Sequence, residues 1–117
     1  MKTETRFIAG LERNITFNIG QNQNENFDII DAASPDDLWF HAEGESSCHV
    51  ICEMPSDITD KKKLRYIVKA GALMCKNNTN KLRSLKNVKI IYTSVKNIVK
   101  TEILGCVTTT NEKSISV

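Results

Sequence analysis

Asp37-Leu38-Trp39-Phe40-His41-Ala42 and Cys48-His49-Val50-Ile51-Cys52-Glu53 both alternate in side-chain type at every second residue. Successive side chains of a strand point to opposite faces. Leu38, Phe40 and Ala42 therefore share one face, and Asp37, Trp39 and His41 the other. In the second run Cys48, Val50 and Cys52 lie opposite His49, Ile51 and Glu53. The intervening Glu43-Gly44-Glu45-Ser46-Ser47 suits a hairpin loop with a glycine. Setting Ala42 against Cys48 puts Phe40 opposite Val50 and gathers the apolar set on one side, as a half-buried sheet requires. The same register brings His41 beside His49, the two histidines of the chain, next to Trp39 on the face expected to stay open.

Working outward, Thr5–Ala9 and Ile15–Ile19 read as short strands joined by a turn over Gly10–Asn14. Asn22–Ala33 reads as a helix, with Asn22 as its cap and Glu25 three residues on. Ser34-Pro35 ends it, since the residue before proline disfavours helical geometry. Asp60–Lys76 is amphipathic: Leu64, Ile67, Val68, Gly71, Ala72 and Cys75 follow the i, i+3, i+4, i+7 spacing. Asn77-Asn78-Thr79-Asn80 breaks it, and Lys81–Asn87 is a polar, basic loop. Val88–Thr93 reads as a strand and Val95–Lys100 continues extended. Gly105 precedes a segment at Cys106–Thr109, and Ser114–Val117 suits a last edge strand. The expected fold is α+β, a mixed and mainly antiparallel sheet with two helices, in one domain over residues 1–117.

Leu, Ile, Val and Phe make up 31 of the 117 residues, above the ~20% floor below which disorder is expected. Twenty of them are Ile or Val, which favour strands. No apolar run approaches the ~18 residues that span a bilayer, and Met1-Lys2-Thr3-Glu4 lacks a signal-peptide pattern. The expected setting is cytoplasmic or nuclear, away from membranes. There the four cysteines, Cys48, Cys52, Cys75 and Cys106, are expected to be free and mostly buried thiols.

The net charge of +2 conceals a strong asymmetry. Residues 1–60 hold 12 acids against 3 bases, residues 61–100 hold 12 bases and no acid, and residues 101–117 hold 2 acids and 1 base. Ordinary surfaces mix both signs, so the basic window points to a polyanion. Its members expected to hold a nucleic-acid backbone are Lys61, Lys62, Lys63, Arg65 and Lys69 on the helix, with Lys81, Arg83, Lys86, Lys89, Lys96 and Lys100 on loop and strand. Trp39 on an open face can stack on a base, and His41, His49 and Ser47 can bond phosphate or base edges. The bland alternative has Trp39 packed under a helix, with Asp37 bonding His41. Zinc is disfavoured, because Cys48 and Cys52 point opposite to His49 and four ligands cannot converge. An acid–base pair of Asp37 and His41 is conceivable. No phosphate-binding loop is present, and no cofactor is expected.

Asp36-Asp37-Leu38-Trp39-Phe40-His41-Ala42 followed by Ser47-Cys48-His49-Val50 resembles the NFACT-R domain, the RNA-binding module of the NFACT proteins of ribosome quality control. That group includes bacterial fibronectin-binding-protein-like members. The likeness covers nearly the whole chain. Ile19-Gly20-Gln21-Asn22 with Asn24-Glu25-Asn26 and Asp28 is similar to the family's glycine-and-asparagine segment. Ala70-Gly71-Ala72-Leu73 matches its small-residue helix, Val88–Thr93 with Val95, Lys96, Ile98 and Lys100 its basic strand region, and Gly105-Cys106-Val107 its late Gly-x-Val element. Ser47-Cys48-His49 departs from the common Gly-Ser-His and resembles the eukaryotic coiled-coil-containing branch.

The resemblance implies an RNA-binding domain contacting tRNA or rRNA, in translation or at the ribosome, with Asp37, Trp39, His41, Ser47 and His49 as its signature site. DNA stays open as an alternative ligand. An RNA-modifying enzyme using Asp37, His41 and His49, or a protein-binding adaptor, are the competing classes. The 117 residues contain neither the family's N-terminal domain nor a coiled coil. Recruitment of charged tRNA for peptide tailing is therefore not carried over.

Overall fold

The computed structural model describes residues 1–117. β1 (Lys2–Ile8) and β2 (Arg13–Gly20) form an antiparallel hairpin. Both strands run further than the sequence suggests. Cross-strand polar pairs such as Thr3 with Asn18 at 2.9 Å and Thr5 with Thr16 at 3.4 Å extend the ladder on its exposed side. α1 (Gln23–Ala32) starts where expected. Asn22 Oδ1 accepts from the Glu25 N–H at 2.9 Å, and the Glu25 carboxylate accepts from the Gln21 N–H at 3.1 Å.

β3 (Leu38–Ala42) and β4 (His49–Cys52) pair in the expected register, Phe40 against Val50. β4 also pairs with β2, and β3 with β5 (Lys89–Ser94). β8 (Lys113–Ser116) pairs with β5 as the edge strand the sequence suggests. The sheet order is β1-β2-β4-β3-β5-β8, and every pairing in it is antiparallel, so the expected mixed component is absent. The stretch after β5 is a short 3-10 turn over Val95–Asn97 leading into β6 (Ile98–Lys100), which pairs with β7 (Val107–Thr109) in a small second sheet.

α2 (Lys61–Asn77), capped by the Asp60 carboxylate on the Lys62 N–H at 3.2 Å, lies across one face of the large sheet. Its Ile67, Val68, Ala72, Met74 and Cys75 pack on Phe17, Ile19, Leu38, Phe40, Val50, Cys52 and Ile90. Gly71 is where the helix comes closest. A Cβ there would lie 2.3 Å from the fully buried Phe40 ring. Gly71→Ala therefore forces helix and ring apart, at a cost of roughly 1–3 kcal/mol typical of overpacking. A fall in the urea midpoint with an unchanged m-value is the expected readout.

The second face of the sheet is covered as well. Trp39 and Ile51 pack with Ile29 of α1, flanked by Ile30, Ala33, Ile91, Val95, Ile98 and Val107. The expectation of one half-open face is therefore corrected. α1 and the β6–β7 ribbon form a third layer, because Trp39, Ile51 and Ile91 offer apolar surface that a wet face would not carry.

Candidate nucleic-acid interface

Trp39 stands at the centre of the second face with its ring 2% exposed. It stacks on His41 with centroids 5.7 Å apart and planes 10° from parallel, and it meets His49 edge-on at 5.2 Å. The indole Nε1 donates to His49 Nδ1 at 3.2 Å. An indole N–H only donates, so His49 must present a bare Nδ1 and is neutral. Burial, then the proximity of His41 at 4.9 Å, drive the His49 pKa down to about 3. Burial likewise lowers His41. A cavity of about 220 Å³ touches these three rings, closed on the far side by Gly105, Cys106, Val107 and Thr109.

A histidine held neutral below its unfolded pKa of ~6.5 makes stability depend on pH. Between about pH 6.5 and 3 the unfolded chain binds the proton and the folded chain does not. The His49 contribution is thus fully present above pH 6.5 and shrinks as pH falls toward 3. From pH 6.5 to 5 the loss should be about 2 kcal/mol. His49→Asn, which keeps an acceptor near the indole, should flatten the thermal midpoint against pH over that interval.

Asp37 does not reach His41. Its Oδ2 accepts from the Ser34 N–H and its Oδ1 from the Met54 N–H, both at 2.9 Å. The buried carboxylate ties the end of α1 to the segment after β4, which corrects the notion of an Asp37–His41 acid–base pair. Ser47 accepts from the Ala42 N–H at 3.1 Å and donates to the Cys48 carbonyl at 3.0 Å, closing the β3–β4 loop. Cys48, Cys52 and Cys75 are buried and Cys106 is exposed. Cys48 and Cys52 belong to the α2 side, away from both histidines.

The twelve bases of residues 61–100 do not form one patch next to the indole. Lys81 pairs with Glu45 at 3.2 Å, Lys89 with Glu43 at 3.0 Å, Lys96 with Asp36 at 3.1 Å and Lys100 with Asp31 at 2.6 Å. Lys100 also lies over the Phe27 ring. By contrast Lys61, Lys62, Lys63, Arg65 and Lys69 on α2, and Arg83 and Lys86 in the loop after it, make no ion pair. The α2 cations lie on its outer side, across the sheet from Trp39.

Two clefts flank this helix. One, of about 610 Å³, has Lys61, Arg65 and Lys113 around an apolar floor that includes Leu64, Val68 and Tyr92. Lys113 makes no ion pair and stands against Tyr92 in the β5–β8 ladder. It lay outside the basic window, and only the return of β8 brings it there. The other cleft, of about 230 Å³, sets Arg6 and Lys69 around Phe7 and Tyr66. Phe7 is 62% and Tyr66 41% exposed. These are the aromatic rings open to solvent on the cationic side. Tyr66, placed between Arg65 and Lys69 in the chain, was visible as an aromatic within a basic helix.

Comparison with known proteins agrees with this architecture. Residues 6–112 match the family model described as NFACT protein RNA binding domain. Coiled-coil domain-containing protein 25 of Danio rerio is 33% identical over 86 residues, covering 74% of this chain and 42% of the relative. The Mus musculus protein of that name is 29% identical over 86 residues, covering 74% and 41%. The chain thus spans about two fifths of the length of these relatives. Among solved structures, the C-terminal part of the fibronectin/fibrinogen-binding protein from Streptococcus suis superposes with a TM-score of 0.78 at 22% identity, over 100% of this chain and 45% of that one. On the strength of a family match that runs from the end of β1 through β7 and takes in both helices, the chain belongs to the NFACT protein RNA binding domain family.

Proposed function

We propose that the protein binds RNA along the outer side of α2, with Lys61, Arg65 and Lys113 holding phosphates and Tyr66 and Phe7 offering rings to bases. The observation that carries this reading is the contrast in pairing. Lysines 81, 89, 96 and 100 are matched by carboxylates, whereas the α2 cations and Lys113 have none. Three lysines in the first turn of α2 also oppose the helix dipole, which favours acids there and disfavours cations by ~0.3–1 kcal/mol each. Residues that cost stability and lack intramolecular partners are suited to an external anion. Exposed rings beside them add stacking worth ~1–3 kcal/mol per base.

A structured RNA such as tRNA or rRNA, in a translation or ribosome-associated setting, is the target that the family resemblance supports. Fluorescence anisotropy with labelled tRNA, an unstructured RNA and its DNA counterpart, between 50 and 300 mM salt, tests the reading. Affinity should fall with a log–log slope of about −0.7 for each single-strand phosphate contacted. A flat titration, or no binding, refutes it.

A further inference from the structure

We propose that the uncharged pocket between the start of α1 and the end of α2 receives one nucleobase of a bound single strand and reads its hydrogen-bonding edge. The inference rests on the RNA-binding reading and adds a site that the cations do not supply.

Two carboxamide runs, Gln21-Asn22-Gln23-Asn24 and Asn77-Asn78-Thr79-Asn80, stand more than fifty residues apart in the chain. The fold brings them to opposite walls of a cavity of about 300 Å³ lined by six carboxamide side chains and three hydroxyls, with no charged residue. Some of these groups are committed to the scaffold. Asn22 caps α1. Asn78 donates to the Met74 carbonyl at 2.8 Å and accepts from Lys2 at 3.1 Å. Thr79 donates to the Cys75 carbonyl at 2.9 Å and accepts from the Cys48 N–H at 3.2 Å. These bonds hold the walls in place.

The remainder is free. Gln21, Gln23, Ser46 and Asn80 make no side-chain hydrogen bond within the protein, though each lines the cavity. Asn26 is buried, only 8% exposed. Its Oδ1 accepts from the His49 N–H at 3.3 Å, which fixes the orientation of the amide. Its Nδ2 has no protein acceptor and belongs to the cavity wall. Gly20 makes room for this arrangement, since a Cβ there would lie 2.5 Å from Asn26 Oδ1.

Carboxamides offer a donor and an acceptor side by side, the complement of a base edge, and pair bidentately with adenine in particular. No charged residue lines the cavity, and the Lys2 ammonium against its wall is already bonded to Asn78 and paired with Glu4 at 3.0 Å, so a phosphate or carboxylate would lose hydration for little return. The volume sits at the small end of the ~300–1,000 Å³ range of ligand pockets, so it takes one base and not a duplex. No aromatic ring lines it, hence it selects among bases while affinity comes from elsewhere. α2 supplies the link: Lys69 and Asn78 are nine residues apart, ~14 Å along the helix axis, so a strand held by the cationic half runs toward the cavity.

Anisotropy with ten-residue A, U, C and abasic oligomers tests the assignment on the wild type, on Asn26→Asp, and on a triple variant Gln21→Ala, Gln23→Ala, Asn80→Ala. Asn26→Asp keeps the Oδ1 acceptor and removes the donor, and the triple variant changes only exposed side chains. Stacking on Tyr66 and Phe7 favours every base-bearing oligomer over the abasic one, so the readout is discrimination among bases: the wild type should prefer one of the A, U and C oligomers over the others about tenfold. In both variants that preference should fall to within twofold. Equal affinity of the wild type for the A, U and C oligomers overturns the proposal and leaves RNA binding standing. So does a preference that survives in the triple variant. If no oligomer binds, the RNA reading fails, and nucleosides added to labelled protein decide the pocket separately. A shift of the Asn26 side-chain amide resonances upholds it, and unmoved resonances reject it.

Discussion

Reversing Lys61, Arg65 and Lys113 to glutamate should weaken RNA binding at least ~100-fold at 100 mM salt and reduce the salt slope by about 2. Each phosphate contact contributes ~0.7 to the slope, which at that salt is a factor of about 5 per contact. Three lost contacts account for about two decades, before any repulsion from the new carboxylates. Unfolding is a poor explanation for such a loss. All three side chains are exposed and unpaired, and an acid in the first turn of α2 interacts favourably with the helix dipole. The thermal midpoint should therefore hold or rise slightly. The matched control reverses Lys81, Lys89 and Lys96, whose charges are already met by Glu45, Glu43 and Asp36. Exposed pairs of that kind are worth ~0–1 kcal/mol, so fold and RNA affinity should both change little, the latter by less than threefold. Equal losses in the two triple variants would show that overall charge matters and the α2 groove does not.

Trp39→Ala should destabilise the protein by about 3–5 kcal/mol, a large share of the ~5–15 kcal/mol typical of a domain. The substitution empties the centre of the second layer, between Ile29 and Ile51. It also leaves His49 Nδ1 without its donor. Near-ultraviolet circular dichroism and the urea midpoint should register the loss. Trp39→Phe retains most of the ring and drops the N–H, so it should cost less and stay folded. Its RNA affinity should match the wild type, because a ring 2% exposed cannot stack on a base. A folded Trp39→Phe with at least tenfold weaker RNA binding would instead place the histidine–indole face in the interface.

Much of the local structure was legible. Period-two alternation on both sides of Glu43–Ser47 set the β3–β4 register, since a slip by one residue would have turned Phe40 and Val50 outward. Asn22 with Glu25 marked the start of α1, and the apolar spacing from Leu64 to Cys75 marked the buried stripe of α2. The candidate site was read less well. Asp37 and Ser47 proved to be loop fasteners through backbone N–H groups, contacts that no side-chain pattern announces. Phe7 carries no signal of its own, because its exposure depends on how β1 meets α2, whereas Tyr66 stands among the bases of the helix.

Sequence by itself determined the alternation, the helix caps, the α+β character and the presence of an uncompensated basic run, because these arise between residues near one another in the chain. Only the tertiary structure decided that both faces of the large sheet are covered and which cations stay unpaired. Covering Trp39 takes α1 and the β6–β7 ribbon together. Neutralising Lys100 takes Asp31, 69 residues away, just as Lys96 takes Asp36 at a separation of 60. Burial and charge compensation are set by distance in space, and a count along the chain cannot measure that distance.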